Sequence, residues 1–209
     1  MSHDHHRDDE GASETTAHVH VLEDLLVERG VVSHEEIDQE VAEYDQDPGP
    51  MRGARVVARA WSDPEFKRRL LADGGGALAE LGITDPRSRR LRVVENAPKV
   101  HNMIVCTLCS CYPGVVLGLP PTWYKSAAYR SRAVIEPRAV LREFGLDLAD
   151  DVEVRVWDSS AELRYMVLPL RPEGTEDWSE EQLAALVTRD AMIGTALVEA
   201  PGPEARLSL

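Results

Sequence analysis

All three cysteines of the 209-residue chain fall within one hexapeptide, Cys106-Thr107-Leu108-Cys109-Ser110-Cys111. Thiols this close together cannot brace a fold, because a structural disulfide works by closing a long loop. The spacing instead folds three sulfurs around a single point, as a metal ligand set requires. A structural zinc or an iron–sulfur cluster takes four protein ligands. With no fourth Cys, the last ligand would come from His101 or from another chain. Three inert buried thiols are the plainer alternative, although Cys at such local density is not needed for packing.

The run from Val105 to Cys111 is followed by Tyr112-Pro113 and then by Val116-Leu117-Gly118-Leu119-Pro120-Pro121. Together these closely resemble the metal-claw motif of nitrile hydratase α subunits, and the related γ subunit of thiocyanate hydrolase carries a similar one. Family-like segments continue in order at Trp61–Lys67, Tyr129–Arg132, Glu136–Arg138, Val156–Ser160 and Met166–Pro169. The resemblance covers roughly residues 20–195. Thr107, where iron-type members carry Ser, is similar to the cobalt-type variant.

In such a claw Cys109, Ser110 and Cys111 are consecutive, so two thiolates and the backbone nitrogens of Ser110 and Cys111 can face one ion. Cys106 reaches it as an axial ligand across Thr107 and Leu108. The resemblance implies one Co(III) per chain, iron being the lesser alternative, with those two amides deprotonated. Thiolate and amidate donors suit a low-spin trivalent ion and leave a sixth position open. It further implies that Cys109 becomes a sulfinic acid and Cys111 a sulfenic acid, while Cys106 stays a thiolate. Cys111 and Ser110 are then the catalytic residues, the Cys111 sulfenate oxygen serving as nucleophile or general base on a bound nitrile. Tyr112 and Gly114 are the expected substrate-binding residues. No other Cys exists to condense with a stored sulfenate. The implied partner is a β subunit, one chain or split in two, whose arginines bond the oxidised sulfurs.

The activity so implied is hydration of a nitrile to its amide in a hetero-oligomer. Thiocyanate hydrolysis by the same claw is the alternative. A non-catalytic metal-binding or cobalt-delivery subunit is a third reading, opposed by the exchange inertness of trivalent sites with amidate ligands. The chain departs from the family at two places. Gly114-Val115 stands where members commonly have Trp-Pro, which either opens room for a bulkier nitrile or leaves a gap that a partner side chain refills. Upstream of the claw, the spacing of a family glutamine lands on Arg87 in a locally basic run, Arg87–Arg92.

A net charge of −14 argues against nucleic acid as a partner, since phosphate binding needs a basic surface. No apolar run approaches the ~20 residues of a membrane span, and the N-terminal stretch carries no apolar signal region, so a cytoplasmic location is expected. Residues 1–17 are acidic and His-rich, with the composition of a disordered tail. His3, His5 and His6, with His18 and His20, are an alternative site for a divalent metal. From Val19 to Tyr44 the apolar spacing predicts two helices, the first ended by Gly30 and the second opened by a capping box from Ser33 to Glu36. Asp47-Pro48-Gly49-Pro50 breaks the second. Residues 18–50 are thus expected as a helical arm for the partner, 51–195 as the catalytic domain and 196–209 as a C-terminal tail.

Within the domain the pattern predicts helices at Val56–Trp61 and Pro64–Leu71, a break at Gly74-Gly75-Gly76, and a helical turn at Ala77–Leu81. Strands follow at Leu91–Glu95 and His101–Val105, then a helix at Pro137–Phe144. Strands at Val152–Trp157 and Glu162–Leu168 flank the turn Asp158-Ser159-Ser160, a hairpin signal, and Glu180–Thr188 is helical. Mixed elements with hairpins indicate an α+β fold. The resemblance implies a four-layered α-β-β-α domain.

Overall fold

The computed structural model describes residues 18–19, 21–37, 49–84, 90–109 and 111–200. Outside the described residues lie the tail with His3, His5 and His6, together with His20, Val41, Tyr44, Asp47-Pro48, Arg87, Ser110 and positions 201–209. The chain divides into two compact units, Met1–Asp47 and Pro48–Leu209.

In the first unit, residues 21–28 (α1) and 34–37 (α2) are helical. Gly30, at φ +62°, ends α1. Its N–H donates to Val27 O at 2.9 Å while Val31 N donates to Leu26 O at 3.0 Å, satisfying carbonyls that the last turn leaves open. Ser33 opens α2 with reciprocal bonds: Glu36 N donates to Ser33 Oγ at 3.2 Å and Ser33 N to Glu36 Oε2 at 2.8 Å.

The second unit runs α3 (Gly49–Ser62), α4 (Pro64–Ala72), α5 (Gly74–Glu80), β1 (Leu91–Glu95), β2 (Val100–Val105), α6 (Gly114–Leu117), α7 (Thr122–Lys125), α8 (Ala127–Ile135), α9 (Pro137–Glu143), β3 (Glu153–Asp158), β4 (Arg164–Leu168), α10 (Glu180–Leu186) and α11 (Arg189–Ile193). Helices α4 and α5 pack on β1 and α11 on β4, while α8 packs on β2 and α9 on β3; the two strand pairs meet through β2 and β4. Helix, sheet, sheet, helix is the layer order, and the fold is α+β.

The strand pairing differs from the hairpin expected at Asp158-Ser159-Ser160. β3 and β4 do not pair with each other. β2 pairs with β3 and β1 with β4, both parallel. The turn exists, with Ser160 N donating to Leu163 O at 2.8 Å, but it carries the chain from one sheet to the other. Residues 101–105 of β2, the strand that β3 joins, are all buried, the pattern of a parallel strand covered on both faces.

The glycine run also differs from expectation. Gly74, Gly75 and Gly76 begin α5 rather than break the chain, because the Asp73 side chain accepts from Gly76 N and caps the helix. Gly74 meets a packing need: a Cβ there would lie 2.6 Å from Leu91 O. Asp63 caps α4 in the same way, accepting from Glu65 N and Phe66 N ahead of the first-turn Pro64. In α3, small buried residues (Ala54, Ala58, Ala60) let neighbours approach closely. At Gly53 a Cβ would stand 2.6 Å from Val116 O, so this glycine seats α6, the helix that follows the cysteines.

The end of α11 is equally tight. Gly194 has φ +94°, and a Cβ there would fall 2.1 Å from Asn102 O and 2.6 Å from Met103 Cα. Gly194→Ala therefore adds overpacking, about 1–3 kcal/mol, to left-handed strain of about 1–2 kcal/mol. Gly82→Ala, at φ +77° with open space around it, carries only the second. Urea unfolding of the two variants should show Gly194→Ala clearly the less stable; equal midpoints would mean that Gly194 does not lie against Asn102 and Met103 as described.

Candidate metal centre

Strand β2 ends at Val105 and delivers Cys106 into the core, where it is fully buried. Cys109 is exposed and Cys111 half-buried. The three sulfurs converge. Cys106 Sγ lies 3.3 Å from Cys109 Sγ, Cys109 Sγ lies 3.1 Å from Cys111 Sγ, and all three fall within 4.8 Å of one another. These separations are far longer than a disulfide bond of ~2.05 Å. Two sulfurs at about 2.3 Å from one ion would stand about 3.3 Å apart at a right angle and about 3.8 Å apart at the tetrahedral angle. The observed spacing thus fits neighbouring positions of an octahedron better than a zinc tetrahedron.

The loop that holds them is clamped from two sides. Thr107 N donates to Asp158 Oδ1 at 2.9 Å, and Thr107 Oγ1 donates to Asp158 Oδ2 at 2.5 Å. Asp158 is in place because the β2–β3 register sets it against Val105, and Ser159 N extends the ladder by donating to Val105 O at 2.7 Å. On the other side Arg130, from α8, donates through Nε to Cys106 O at 3.0 Å and through a terminal nitrogen to Thr107 O at 2.9 Å. Cys109 N turns inward to Cys106 Sγ at 3.3 Å. Tyr124 OH donates to Cys111 O at 3.1 Å and fixes the far end. Tyr129 OH, bonded to Ile104 O at 2.6 Å, ties α8 to the same strand. Burial raises the pKa of both phenols above their ordinary value, keeping them protonated as donors.

Burial, the hydrogen bond with Cys109 and the charges of Cys106 and Cys109 push the Cys111 thiol up to about 12, with Arg164 pulling the other way. Three thiolates cannot crowd together without a cation. A bound cation would reverse this preference and release the protons.

Tyr112 sits inside, 9% exposed, with its ring edge-on to Tyr124 at 4.9 Å. Gly114 is the first residue of α6 and half-buried, and a Cβ there would meet nothing within 4 Å. Ser110 lies outside the described residues. His101 does not join the sulfurs, so it does not supply the fourth ligand that the zinc or iron–sulfur alternative would need: its ring is committed to Gly194 O at 2.7 Å and to the Asn96 amide at 3.4 Å. Among the described residues no other group of His, Cys, Asp or Glu gathers in this way.

The nitrile hydratase alpha chain family matches residues 13–196. The chain belongs to this family. The low-molecular-weight cobalt-containing nitrile hydratase subunit alpha of Rhodococcus rhodochrous is 55% identical over 188 residues, covering 90% of this chain and 91% of its own. The thiocyanate hydrolase subunit gamma of Thiobacillus thioparus is 45% identical over 193 residues, covering 87% and 78%. A double mutant of the Fe-type nitrile hydratase from Comamonas testosteroni Ni1 superimposes with a TM-score of 0.85 at 45% identity, over 90% of this chain and 92% of that one.

Asp158, Arg130 and Tyr124 were not singled out by residue pattern. Arg130 and Asp158 lie inside segments shared with the family, but Asp158 is 51 residues beyond Thr107 and only the parallel register joins them. Hydrogen bonds to charged groups contribute about 1.5–3 kcal/mol each. Asp158→Ala should therefore free the loop while leaving the fold intact, giving metal occupancy at least tenfold lower at limiting metal, measured by elemental analysis. Unchanged occupancy would show that the sulfurs hold their arrangement without the clamp.

Proposed function

We propose that the chain is the metal-carrying subunit of a nitrile hydratase, converting a nitrile to its amide. The observation that carries this reading is the convergence of three sulfurs on a clamped loop, with Cys109 at right-angle spacing from both of the others, in a member of this family. Cys106, Cys109 and Cys111, with the backbone nitrogens of Ser110 and Cys111, would hold one cobalt, the metal named for the Rhodococcus rhodochrous relative. When bound, the trivalent ion supplies Lewis acidity toward the nitrile nitrogen or a water.

The chain's own residues do the rest. Oxidised to sulfenate, Cys111 offers an oxygen beside the substrate as nucleophile or general base. Cys109, as sulfinate, draws off thiolate charge and accepts hydrogen bonds. Ser110, between them in sequence, would contribute its amide. Arg130 and Asp158 hold the loop so that these atoms need not reorganise as charge develops. Tyr112 backs the site from the core, and Gly114 leaves space beside it for a bulky substituent.

Leu108 is 88% exposed at the tip of the claw, and Cys109 is exposed beside it. Shielding the site from bulk solvent, while admitting the one water that hydration consumes, would need a second chain over this tip. We assign that role to the β subunit, one chain or two, supplying arginine donors to the oxidised sulfurs. In the first unit the exposed apolar side chains Val21, Leu22 and Leu25 of α1 form an arm for the same partner. Among the described residues no helix is long and apolar enough to cross a membrane; the cytoplasmic location stays the sequence's assignment.

Coexpressed with its β subunit in cobalt medium, the chain should carry about one cobalt and hydrate nitriles, and Cys106, Cys109 or Cys111→Ala should each abolish metal retention. The demetallated chain should weigh three oxygens more than its sequence. Stoichiometric zinc or three free thiols in active enzyme would defeat the reading, and turnover of thiocyanate alone would replace it with the hydrolase. Substrate size is tested separately. Gly114→Trp should depress kcat/KM for a bulky heteroaromatic nitrile about five- to a hundredfold relative to a small aliphatic one, from an overpacking cost of about 1–3 kcal/mol. Equal losses on both would assign the pocket's shape to the partner.

A further inference from the structure

At the start of β2, the strand that leads into the claw, lies a closed polar network in which every proton position is fixed. Two donors leave no choice of orientation. The backbone N–H of Asn102 donates to Asn96 Oδ1 at 2.7 Å, so that atom is the oxygen and the Asn96 amide nitrogen faces His101. The indole N–H of Trp157 donates to Asn102 Oδ1 at 2.8 Å, so the Asn102 amide nitrogen points to Glu95 O at 2.8 Å and to Asn96 Oδ1 at 3.0 Å. His101 Nδ1, at 3.4 Å from the Asn96 amide nitrogen, must then be the acceptor, and Nε2 must carry the hydrogen toward Gly194 O at 2.7 Å. Asn96, His101 and Asn102 are all buried.

We infer that this network positions both arms of the claw and that a single proton on His101 releases it. The two arms are Cys106, next after β2, and Asp158, next after Trp157 in β3. Asn102 bridges these strands, since its side chain accepts from Trp157 while its backbone belongs to β2. His101 ties β2 to Gly194, whose backbone lies against Asn102 and Met103. A second proton on the imidazole would turn Nδ1 into a donor facing the donor amide of Asn96. Rotating that amide would only set its nitrogen against Asn102 N–H. The network has no relaxed form with His101 charged.

The imidazole is faced by the Asn96 amide from the β1–β2 turn and by the Gly194 carbonyl after α11. The charged groups of the surrounding elements pair elsewhere. Glu95 of β1 meets Lys67, Glu153 meets Arg155 on β3, Arg164 of β4 donates to Ala161 O at 2.5 Å, and Asp190 of α11 lies 3.9 Å from Arg189. Burial lowers the proton affinity of His101, more than the Gly194 carbonyl raises it. The unfolded chain therefore binds the proton more readily. The network's contribution is full above the ordinary His pKa of ~6.5 and is lost as pH falls below it.

The inference rests on the nitrile hydratase reading only for the claw's role; its test needs neither metal nor substrate. The full chain, assembled with its partner subunit and 15N-labelled in His and Trp side chains, is titrated from about pH 8 to 5, spanning the His range. His101 should remain the single Nε2–H tautomer until, below about pH 6.5, its ring and the Trp157 indole change together. The open fraction should rise about tenfold per pH unit, the slope for one proton. His101→Gln, whose amide can donate to Gly194 O and accept from Asn96 but takes no proton, should abolish this transition. A His101 ring that titrates while Trp157 stays unmoved, no change in either down to pH 5, or a His101→Gln variant with the wild-type transition would each overturn it. Should that variant fail to fold, the joint wild-type titration decides alone.

Discussion

The parallel pairing of β2 with β3, in the register that sets Val105 beside Asp158, is the constraint on which the rest depends. Moving the register by one residue would reverse the face of every side chain on the strand. Asp158 would then leave Thr107, and Trp157 would leave Asn102. A strand buried along nearly its whole length holds that register firmly, because any slip would expose Met103, Ile104 or Val105 or bury a carboxylate. The sulfurs are thus placed by a ladder of backbone bonds rather than by their own loop. The loop is short and exposed at its tip, and by itself it has little to fix it.

Local chemistry was legible in the sequence wherever one residue speaks for itself. Pro64 behind Asp63 marks a helix start, Ser33 and Glu36 mark a capping box, and three cysteines in six positions mark a ligand set. Strand positions could be read within a residue or two, because β-branched runs between turns are hard to mistake. Pairing could not. Ser159 and Ser160 do form a turn, but whether a turn joins two strands of one sheet or of two depends on what covers them. Three glycines in a row looked like a break because the Asp73 cap and the closeness of Leu91 become visible only in space. Arg130 and Asp158 share the same limit: each is an ordinary charged residue until the fold brings it to the carbonyls and amide of the claw.

The scaffold is shared by relatives whose names specify cobalt, iron and thiocyanate chemistry. A backbone that superimposes across them cannot by itself choose the metal or the substrate. Short-range features are where such choices could lie: the Thr107 hydroxyl binds Asp158, and a Cβ at Gly114 would meet nothing within 4 Å. The chain has a deep core yet leaves Cys109 and the Leu108 tip of the claw exposed, as suits a subunit of a hetero-oligomer.

The long sequence interval between the paired strands carries a cost in time. β2 is made first and stays unpaired until β3 has followed it out of the ribosome, because loop closure must precede the pairing it enables. At about 5–20 residues per second, the ~50 residues between them take several seconds. Throughout that interval the three thiols exist without Asp158, and the strand that will anchor them has no neighbour. Any ion captured then would meet a floppy tripod that discriminates poorly among metals. The clamped arrangement of the claw loop is therefore complete only once Asp158 has been made and β3 has joined β2.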